Sequence, residues 1–173
     1  MSKFNTCLDI VLEMEGGYVN NPKDPGGMTN LGVTKRNWED WLKHPVTEAD
    51  MRSLTPAKVE AFYRVRYWLP NYCDELPAAL ALSVFDFAVN AGDGREIHML
   101  QELVGAAPDG VIGPQTRALI LTWLGSRTVA EAVHSHVNAR RSYYRACKNF
   151  PTFGRGWLNR CDAIEAAAKK LIP

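Results

Sequence analysis

Residues 15–34 read EGGYVNNPKDPGGMTNLGVT, and this stretch is more informative than the rest of the chain. It begins where an amphipathic helix pattern ends and finishes where a second one starts, with a loop rich in glycine, proline and asparagine between them. Glu15 and Asp24 lie nine positions apart, and Thr29 follows five positions later. Two carboxyl groups beside one loop could supply the protonated acid and the ionised carboxylate that cleavage of a glycosidic bond requires.

Each of these three residues also has a purely structural interpretation. Glu15 could be a solvated carboxylate at a helix end, Asp24 an Asx-turn residue and Thr29 an ordinary strand residue. A general acid must be protonated near neutral pH, and the negative end of a helix dipole contributes only ~0.3–1 kcal/mol towards this. Burial must therefore do most of the work, and we expect Tyr18 or a tryptophan from another helix to shield the Glu15 carboxyl.

Apolar periodicity and chain breakers predict an all-α chain with a small β-hairpin in its N-terminal lobe. A helix is expected over residues 3–15, ended by Gly16 and Gly17, and short strands near residues 18–19 and 31–33 are expected to pair. Further helices, with their caps, are predicted over residues 34–42, 55–68, 78–91, 95–104, 114–124, 128–148 and 157–171. The helix over residues 78–91 is apolar on nearly every side, so we expect it at the centre of the core.

Length and composition indicate one globular domain. A chain of 173 residues can bury a core without help from a metal ion or a disulfide. No cofactor and no metal site is predicted, because the four cysteines form no CxxC pair and His134 and His136 point to different faces of one helix. Reduced, buried thiols are expected, and a bridge between Cys147 and Cys161 outside the cell stays open.

Charge is distributed unevenly along the chain. The net charge of +1 combines 11 basic and 16 acidic residues in positions 1–126 with 9 basic and 3 acidic residues in positions 127–173. A basic C-terminal region beside an acidic body suggests attraction to a polyanion such as an envelope polymer, a membrane surface or nucleic acid. A solvated helical face explains the same pattern equally well.

The N-terminus has neither the apolar core nor the cleavage site of a signal peptide. No apolar stretch is long enough to span a bilayer. We therefore expect the protein to be made and kept in the cytoplasm until another agent releases it.

Residues 15–34 resemble the signature of the peptidoglycan-cleaving muramidases of glycoside hydrolase family 108, which are common as phage endolysins. The shared features are Glu-Gly-Gly-Tyr at residues 15–18 and Asp-x-Gly-Gly-x-Thr-x-x-Gly-x-Thr at residues 24–34. The glutamate of the first motif is the catalytic acid in that family, so the resemblance implies this role for Glu15. The spacing is also similar to that of phage-type lysozymes, which implies that Asp24 and Thr29 handle water or the cationic intermediate. The distance to the threonine is one residue shorter here.

Two later segments extend the resemblance. Residues 85–92, FDFAVNAG, are similar to the central helix of lysozyme-like folds, where an asparagine faces the cleft; this implies substrate binding by Asn90, with a helix C-cap as an equal alternative. Residues 108–116 resemble a loop of the peptidoglycan-binding helical module in this family. Asp109 and Thr116 become candidate substrate-binding residues, although a purely structural loop is the simpler interpretation. Tyr18 of the first motif completes the predicted substrate-binding set.

We therefore predict a lysozyme-like domain over residues 1–173, with a catalytic lobe at 1–92 and a helical peptidoglycan-binding-like region at 93–173. The resemblance implies an endolysin that hydrolyses the β-1,4 bond between N-acetylmuramic acid and N-acetylglucosamine. Its expected partner is peptidoglycan, with no nucleic acid, contact of the basic region with the anionic envelope, and a monomeric state. Release from the host cytoplasm would need a holin-type membrane lesion. The alternatives are a lytic transglycosylase and a non-catalytic peptidoglycan-binding or secretion-accessory protein on the same fold.

Overall fold

The computed structural model describes residues 2–20 and 27–173. Within them, nine α-helices and one three-stranded antiparallel sheet form a mainly α-helical, lysozyme-like fold, as predicted. The chain divides into two compact units, Met1–Arg64 and Val65–Pro173. The predicted division into lobes at residue 92 remains a prediction.

Four helices form in the first unit because each has a local start signal. The side chains of Ser2, Thr34, Thr47 and Thr55 accept a hydrogen bond from the backbone N–H three positions later, which satisfies one unpaired donor at each helix start. The helices that follow are α1 (Lys3–Glu15), α2 (Lys35–Leu42), α3 (Glu48–Arg52) and α4 (Pro56–Tyr63). Helix α1 buries one apolar face and contacts α4. A π-helical segment, Arg64–Trp68, lies within the range where the sequence predicts one continuous helix.

The sheet of the first unit has one more strand than the predicted hairpin. Its strands are β1 (Val19–Asn20), β2 (Met28–Asn30) and β3 (Val33–Thr34), in the order β1-β2-β3. The two expected strands therefore do not pair with each other, because β2 lies between them. Thr29 is at the centre of the sheet, opposite Val19 on one side and Thr34 on the other.

The second unit surrounds one buried helix. Its α-helices are α5 (Ala78–Ala91), α6 (Asp93–Val104), α7 (Pro114–Gly125), α8 (Val129–Ala146) and α9 (Phe150–Lys169). Residues 79–88 of α5 are all buried, and α5 contacts α6, α8 and α9, which confirms its predicted central position. Helix α9 begins earlier than expected, because Pro151 lies in its first turn, where a missing N–H leaves no hydrogen bond unmade.

Two clusters of buried polar side chains lie in the core of the second unit. Nδ1 of His136 lies 2.7 Å from the Ser83 hydroxyl, and its Nε2 lies 2.9 Å from the Glu96 carboxylate. Burial raises the pKa of Glu96, although His136 opposes this effect. Arg140, which has no exposed surface, forms an ion pair of 2.5 Å with Asp86. These contacts compensate part of the cost of burying the polar groups.

All four cysteines are free thiols; three are buried and Cys147 is partly buried. None of the described helices combines the length and the apolar character needed to cross a membrane. Among residues 2–20 and 27–173, no group of three or more histidine, cysteine, aspartate or glutamate side chains is arranged to hold a metal ion.

Candidate active site

Glu15 is the last residue of α1, and its side chain is partly buried. The helix stops there because Gly16 has a φ of +76°, a left-handed conformation that glycine adopts without steric penalty. The two glycines after Glu15 therefore place the carboxyl group at the end of a rigid helix, as the sequence predicts.

The Glu15 carboxyl lies against the turn between β2 and β3. A Cβ atom placed on Gly32 would come within 2.8 Å of both Cγ and Oε2 of Glu15, and within 2.6 Å of the Tyr63 hydroxyl oxygen. Oε2 of Glu15 and the Tyr63 hydroxyl oxygen thus occupy the space that a side chain at position 32 would need. The packing brings together the end of α1, the end of α4 and the turn of the sheet.

The turn itself has an unusual backbone. Leu31 and Gly32 connect β2 to β3 and both have positive φ, +49° and +73°, which identifies a two-residue type I′ turn. Leucine rarely adopts this conformation, since its Cβ crowds the neighbouring carbonyl oxygen. Tyr63, only 1% exposed, donates a hydrogen bond of 2.7 Å from its hydroxyl to the Leu31 carbonyl oxygen and so holds the turn in place.

Sequence reasoning missed the contribution of Tyr63. Its ring is buried in the core, but the sequence does not indicate where its hydroxyl group lies. The available signal was general: a buried tyrosine hydroxyl usually finds a hydrogen-bond partner. Tyr63 is thus an aromatic residue close to Glu15, and the expected shielding by Tyr18 or a tryptophan stays a prediction.

Tyr18 is held mainly by helix α3. The guanidinium carbon of Arg52 lies 3.9 Å from the centre of its ring, which is a cation–π contact. Partial burial and the neighbouring Glu48 raise the pKa of the Tyr18 hydroxyl. The same helix is tied to the sheet by buried Asn30, whose side-chain NH₂ donates to the Met51 carbonyl oxygen at 2.8 Å.

The other two predicted catalytic residues have different outcomes. Thr29 is partly buried in the middle strand of the sheet, two residues before the Leu31–Gly32 turn. Asp24 lies outside the described residues, so its role stays a prediction.

In the second unit, Asn90 lies in the last turn of α5 and lines a cavity of about 400 Å³. Its Oδ1 accepts a hydrogen bond from the Tyr144 hydroxyl. The helix is capped by Gly92, which has a φ of +96°. The Asn90 side chain is thus held by α8 and is exposed towards a cavity.

Asp109 and Thr116 are both bound to Gln101, a fully buried residue that sequence reasoning did not single out. The Gln101 side-chain NH₂ donates to Asp109 at 2.7 Å and to Thr116 at 3.3 Å, and the backbone N–H of Val111 also donates to Asp109. The bonds from Gln101 and Val111 lower the pKa of Asp109. This pattern gives both side chains a role in shaping the loop.

Two comparisons with known proteins give matches. The Glycosyl hydrolase 108 family model matches residues 8–92, which include Glu15 and Asn90. A solved structure of SagA from Brucella abortus is 34% identical and has a TM-score of 0.83, covering 97% of this chain and 94% of its own. The comparison with curated proteins gives no match. The chain therefore belongs to glycosyl hydrolase family 108 and is a peptidoglycan-hydrolysing glycosidase.

Proposed function

We propose that the protein is an N-acetylmuramidase, a lysozyme that hydrolyses the β-1,4 bond between N-acetylmuramic acid and N-acetylglucosamine, with Glu15 as the general acid. The observation that carries this proposal is the carboxyl group of Glu15 at the end of α1, held against the Gly32 backbone beside the Tyr63 hydroxyl. A carboxyl group fixed between rigid elements is pre-positioned to transfer a proton.

Glu15 donates its proton to the glycosidic oxygen as the bond to the anomeric carbon breaks. Positive charge develops on the sugar ring, and water then supplies its oxygen to the anomeric carbon and gives up a proton. The single hydroxyl proton of Tyr63 is already donated to Leu31, so its oxygen presents lone pairs to its surroundings.

Asp24 and Thr29 complete the proposed machinery. Asp24 stabilises the developing cation or activates the water, and Thr29 orients that water. The family signature supports both roles, and for Thr29 the support includes its position in the central strand, paired on both sides. Tyr18, Asn90, Asp109 and Thr116 are proposed to contact the polysaccharide.

The test compares Glu15→Gln with the wild type on purified sacculi, with mass spectrometry of the products. Glu13→Gln is the matched control, because Glu13 is exposed on the same helix. We expect Glu15→Gln to lose at least ~10²-fold in turnover, the usual contribution of a general acid, and Glu13→Gln to lose nothing.

Three results contradict the proposal. Retained turnover in Glu15→Gln removes the general acid from this position. Anhydro-sugar products from the wild type identify a lytic transglycosylase, since a hydrolase adds water and a transglycosylase does not. Binding to sacculi without any loss of turbidity identifies a non-catalytic binding protein.

The resemblance to phage endolysins supports a role in host lysis. In this proposal the enzyme is a monomer that stays in the host cytoplasm until a holin-type lesion admits it to the wall, and its basic C-terminal region then contacts the anionic envelope. Expression in a bacterial host with and without a holin tests it. Lysis only in the presence of the holin is expected, and equal lysis in both cultures contradicts the proposed release.

A further inference from the structure

A cavity of about 400 Å³ opens in the second unit beside the end of α5, the end of α8 and the start of α9. We call it the α8–α9 pocket; its lining includes Asn90, Tyr144, Lys148, Asn149 and Trp157. Its volume is within the range of small-molecule sites. Its described lining contains amides, a lysine and aromatic rings, and no acidic side chain.

A chain of hydrogen bonds sets the direction in which Asn90 faces. Arg140 donates from Nε to the Tyr144 hydroxyl oxygen at 3.2 Å, and a guanidinium group can only donate. The single proton of Tyr144 is therefore directed to Oδ1 of Asn90. This leaves the NH₂ group as the available end of the Asn90 amide. Among the described residues this NH₂ group has no hydrogen-bond partner, so it is a donor presented to the pocket.

The buried end of this series of hydrogen bonds is rigid. Arg140 is fully buried and is anchored by its ion pair with Asp86, which Arg160 also contacts at 2.7 Å. Burial opposes the charge of Arg140, but Asp86 outweighs this effect and raises the pKa of the guanidinium. Arg140 therefore remains a donor over the whole working pH range, and the orientation of Asn90 does not change with pH.

Aromatic and cationic groups complete the pocket. Trp157 stacks on Tyr144 with the ring centres 5.1 Å apart and an angle of 20° between the planes, which holds the indole ring in one position. Tyr144 covers one face of the indole ring, and the part of Trp157 that lines the pocket offers an aromatic surface for the C–H face of a pyranose ring. Lys148 is exposed and forms no ion pair with any described residue, and Asn149 makes no helix-capping bond with its side chain. Both are therefore available to hydrogen-bond acceptors on a ligand.

We propose that the α8–α9 pocket binds a muramoyl unit of the peptidoglycan strand, an N-acetylated sugar that carries a carboxylate-bearing peptide. The NH₂ group of Asn90 donates to the acetamido carbonyl oxygen, Trp157 packs on the sugar, and Lys148 pairs with a carboxylate of the peptide. The choice of substrate rests on the proposed muramidase function. The direction of the Asn90 amide and the lack of acidic lining are independent of it.

The experiment uses the full chain with Glu15→Gln, so that the sugars are bound without turnover. Muramyl dipeptide and the neutral trimer of N-acetylglucosamine are titrated separately, with tryptophan fluorescence and side-chain amide NMR signals as readouts. Saturable binding of both probes is expected, with the Asn90 amide signal shifted in each case.

Two variants separate the contributions. Asn90→Asp retains an acceptor for Tyr144 and replaces only the donor end of the side chain. It should therefore weaken the binding of both probes by about tenfold. Lys148→Ala should weaken the binding of muramyl dipeptide by about tenfold and leave the affinity for the neutral trimer unchanged. Arg145→Ala is the matched control, because Arg145 is an exposed cation of the same helix outside the pocket. Circular dichroism checks that each variant is folded.

The pocket assignment is overturned if neither probe saturates, or if Asn90→Asp and Lys148→Ala bind as the parent does. Its failure and that of the muramidase proposal are distinguishable. For this comparison Asn90→Asp and Lys148→Ala are also made in the chain that retains Glu15. If both then hydrolyse sacculi with a normal KM, the muramidase proposal stands and the pocket assignment fails. If the wild-type protein binds the probes selectively but releases no product from sacculi, the pocket assignment stands and the muramidase proposal fails.

Discussion

The hydroxyl group of Tyr63 donates a 2.7 Å hydrogen bond to the carbonyl oxygen of Leu31, a residue with a φ of +49°. A non-glycine residue in this region of φ stores about 1–3 kcal/mol of strain, so the surrounding contacts must stabilise the conformation. Tyr63 supplies one such contact from α4. The turn that it holds contains Gly32, against which the Glu15 carboxyl lies. The backbone of the sheet and the proposed acid are thus positioned by the same side chain.

Tyr63→Phe should reduce both stability and turnover. The variant keeps the ring in the core but leaves the Leu31 carbonyl oxygen without this donor, which costs about 1–3 kcal/mol for a buried group. Loss of the hydroxyl also removes a neighbour of the Glu15 carboxyl, so we expect a fall in kcat of roughly tenfold or more. Urea unfolding and sacculus turbidity measure the two effects. A variant that is less stable but fully active would show that the turn does not position the acid.

Gly32→Ala should displace the Glu15 carboxyl. The new methyl group would meet Glu15 and Tyr63 at less than 3.0 Å, and alanine at a φ of +73° is also strained. We expect a loss of turnover close to that of Glu15→Gln, together with a loss of about 1–3 kcal/mol in stability.

Gly27→Ala is the control for the effect of backbone strain alone. Gly27 also has a positive φ, +63°, but no atom of the described residues lies within 4 Å of its Cβ position. Strain alone should lower stability and spare turnover. If both alanine variants lose the same fraction of activity, the contact between Gly32 and Glu15 is not responsible.

Glu165 should contribute stability that depends on pH. Burial opposes its ionisation, but hydrogen bonds from His134, Arg141 and Lys169 outweigh burial and lower its pKa from 4.5 to about 2. A lowered folded pKa stabilises the fold above the unfolded value, and this contribution is lost as pH falls from about 4.5 to about 2.

Glu165→Gln is therefore expected to destabilise the protein by roughly 1–2 kcal/mol at about pH 6, a figure reduced for solvent screening of the exposed partners. The difference from wild type should shrink to less than half when urea unfolding is repeated at about pH 2.5. A difference that stays constant over this range would show that the pairing is not electrostatic.

The two histidines of α8 should respond very differently to substitution. His136 is fully buried between Ser83 and Glu96, so His136→Ala leaves a buried carboxyl without its partner and opens a cavity; the expected cost is about 3–5 kcal/mol. His134 is 61% exposed and pairs with Glu165, so His134→Ala should cost only ~0–1 kcal/mol. Thermal unfolding of both variants tests this. Equal destabilisation would contradict the structural role of the buried histidine.

Local signals explain which helices sequence reasoning located well. Thr34 and Thr55 cap α2 and α4 as expected, and the apolar run of residues 78–91 becomes the central helix. The middle strand β2 was missed, because Met28, Thr29 and Asn30 carry no alternation that separates them from the glycine-rich loop. Position along the chain also did not show that Gln101 would join Asp109 to Thr116.

The sequence by itself determined that Glu15 ends a helix just before two glycines, because helix termination depends on residues that are adjacent along the chain. Only the tertiary structure decided what faces that carboxyl group. Gly32 and Tyr63 reach it from a turn and from another helix, and their approach depends on how side chains pack at long sequence separation. No local pattern encodes the close approach of Glu15 to Gly32 or the direction of a tyrosine hydroxyl, since both follow from the packing of distant elements.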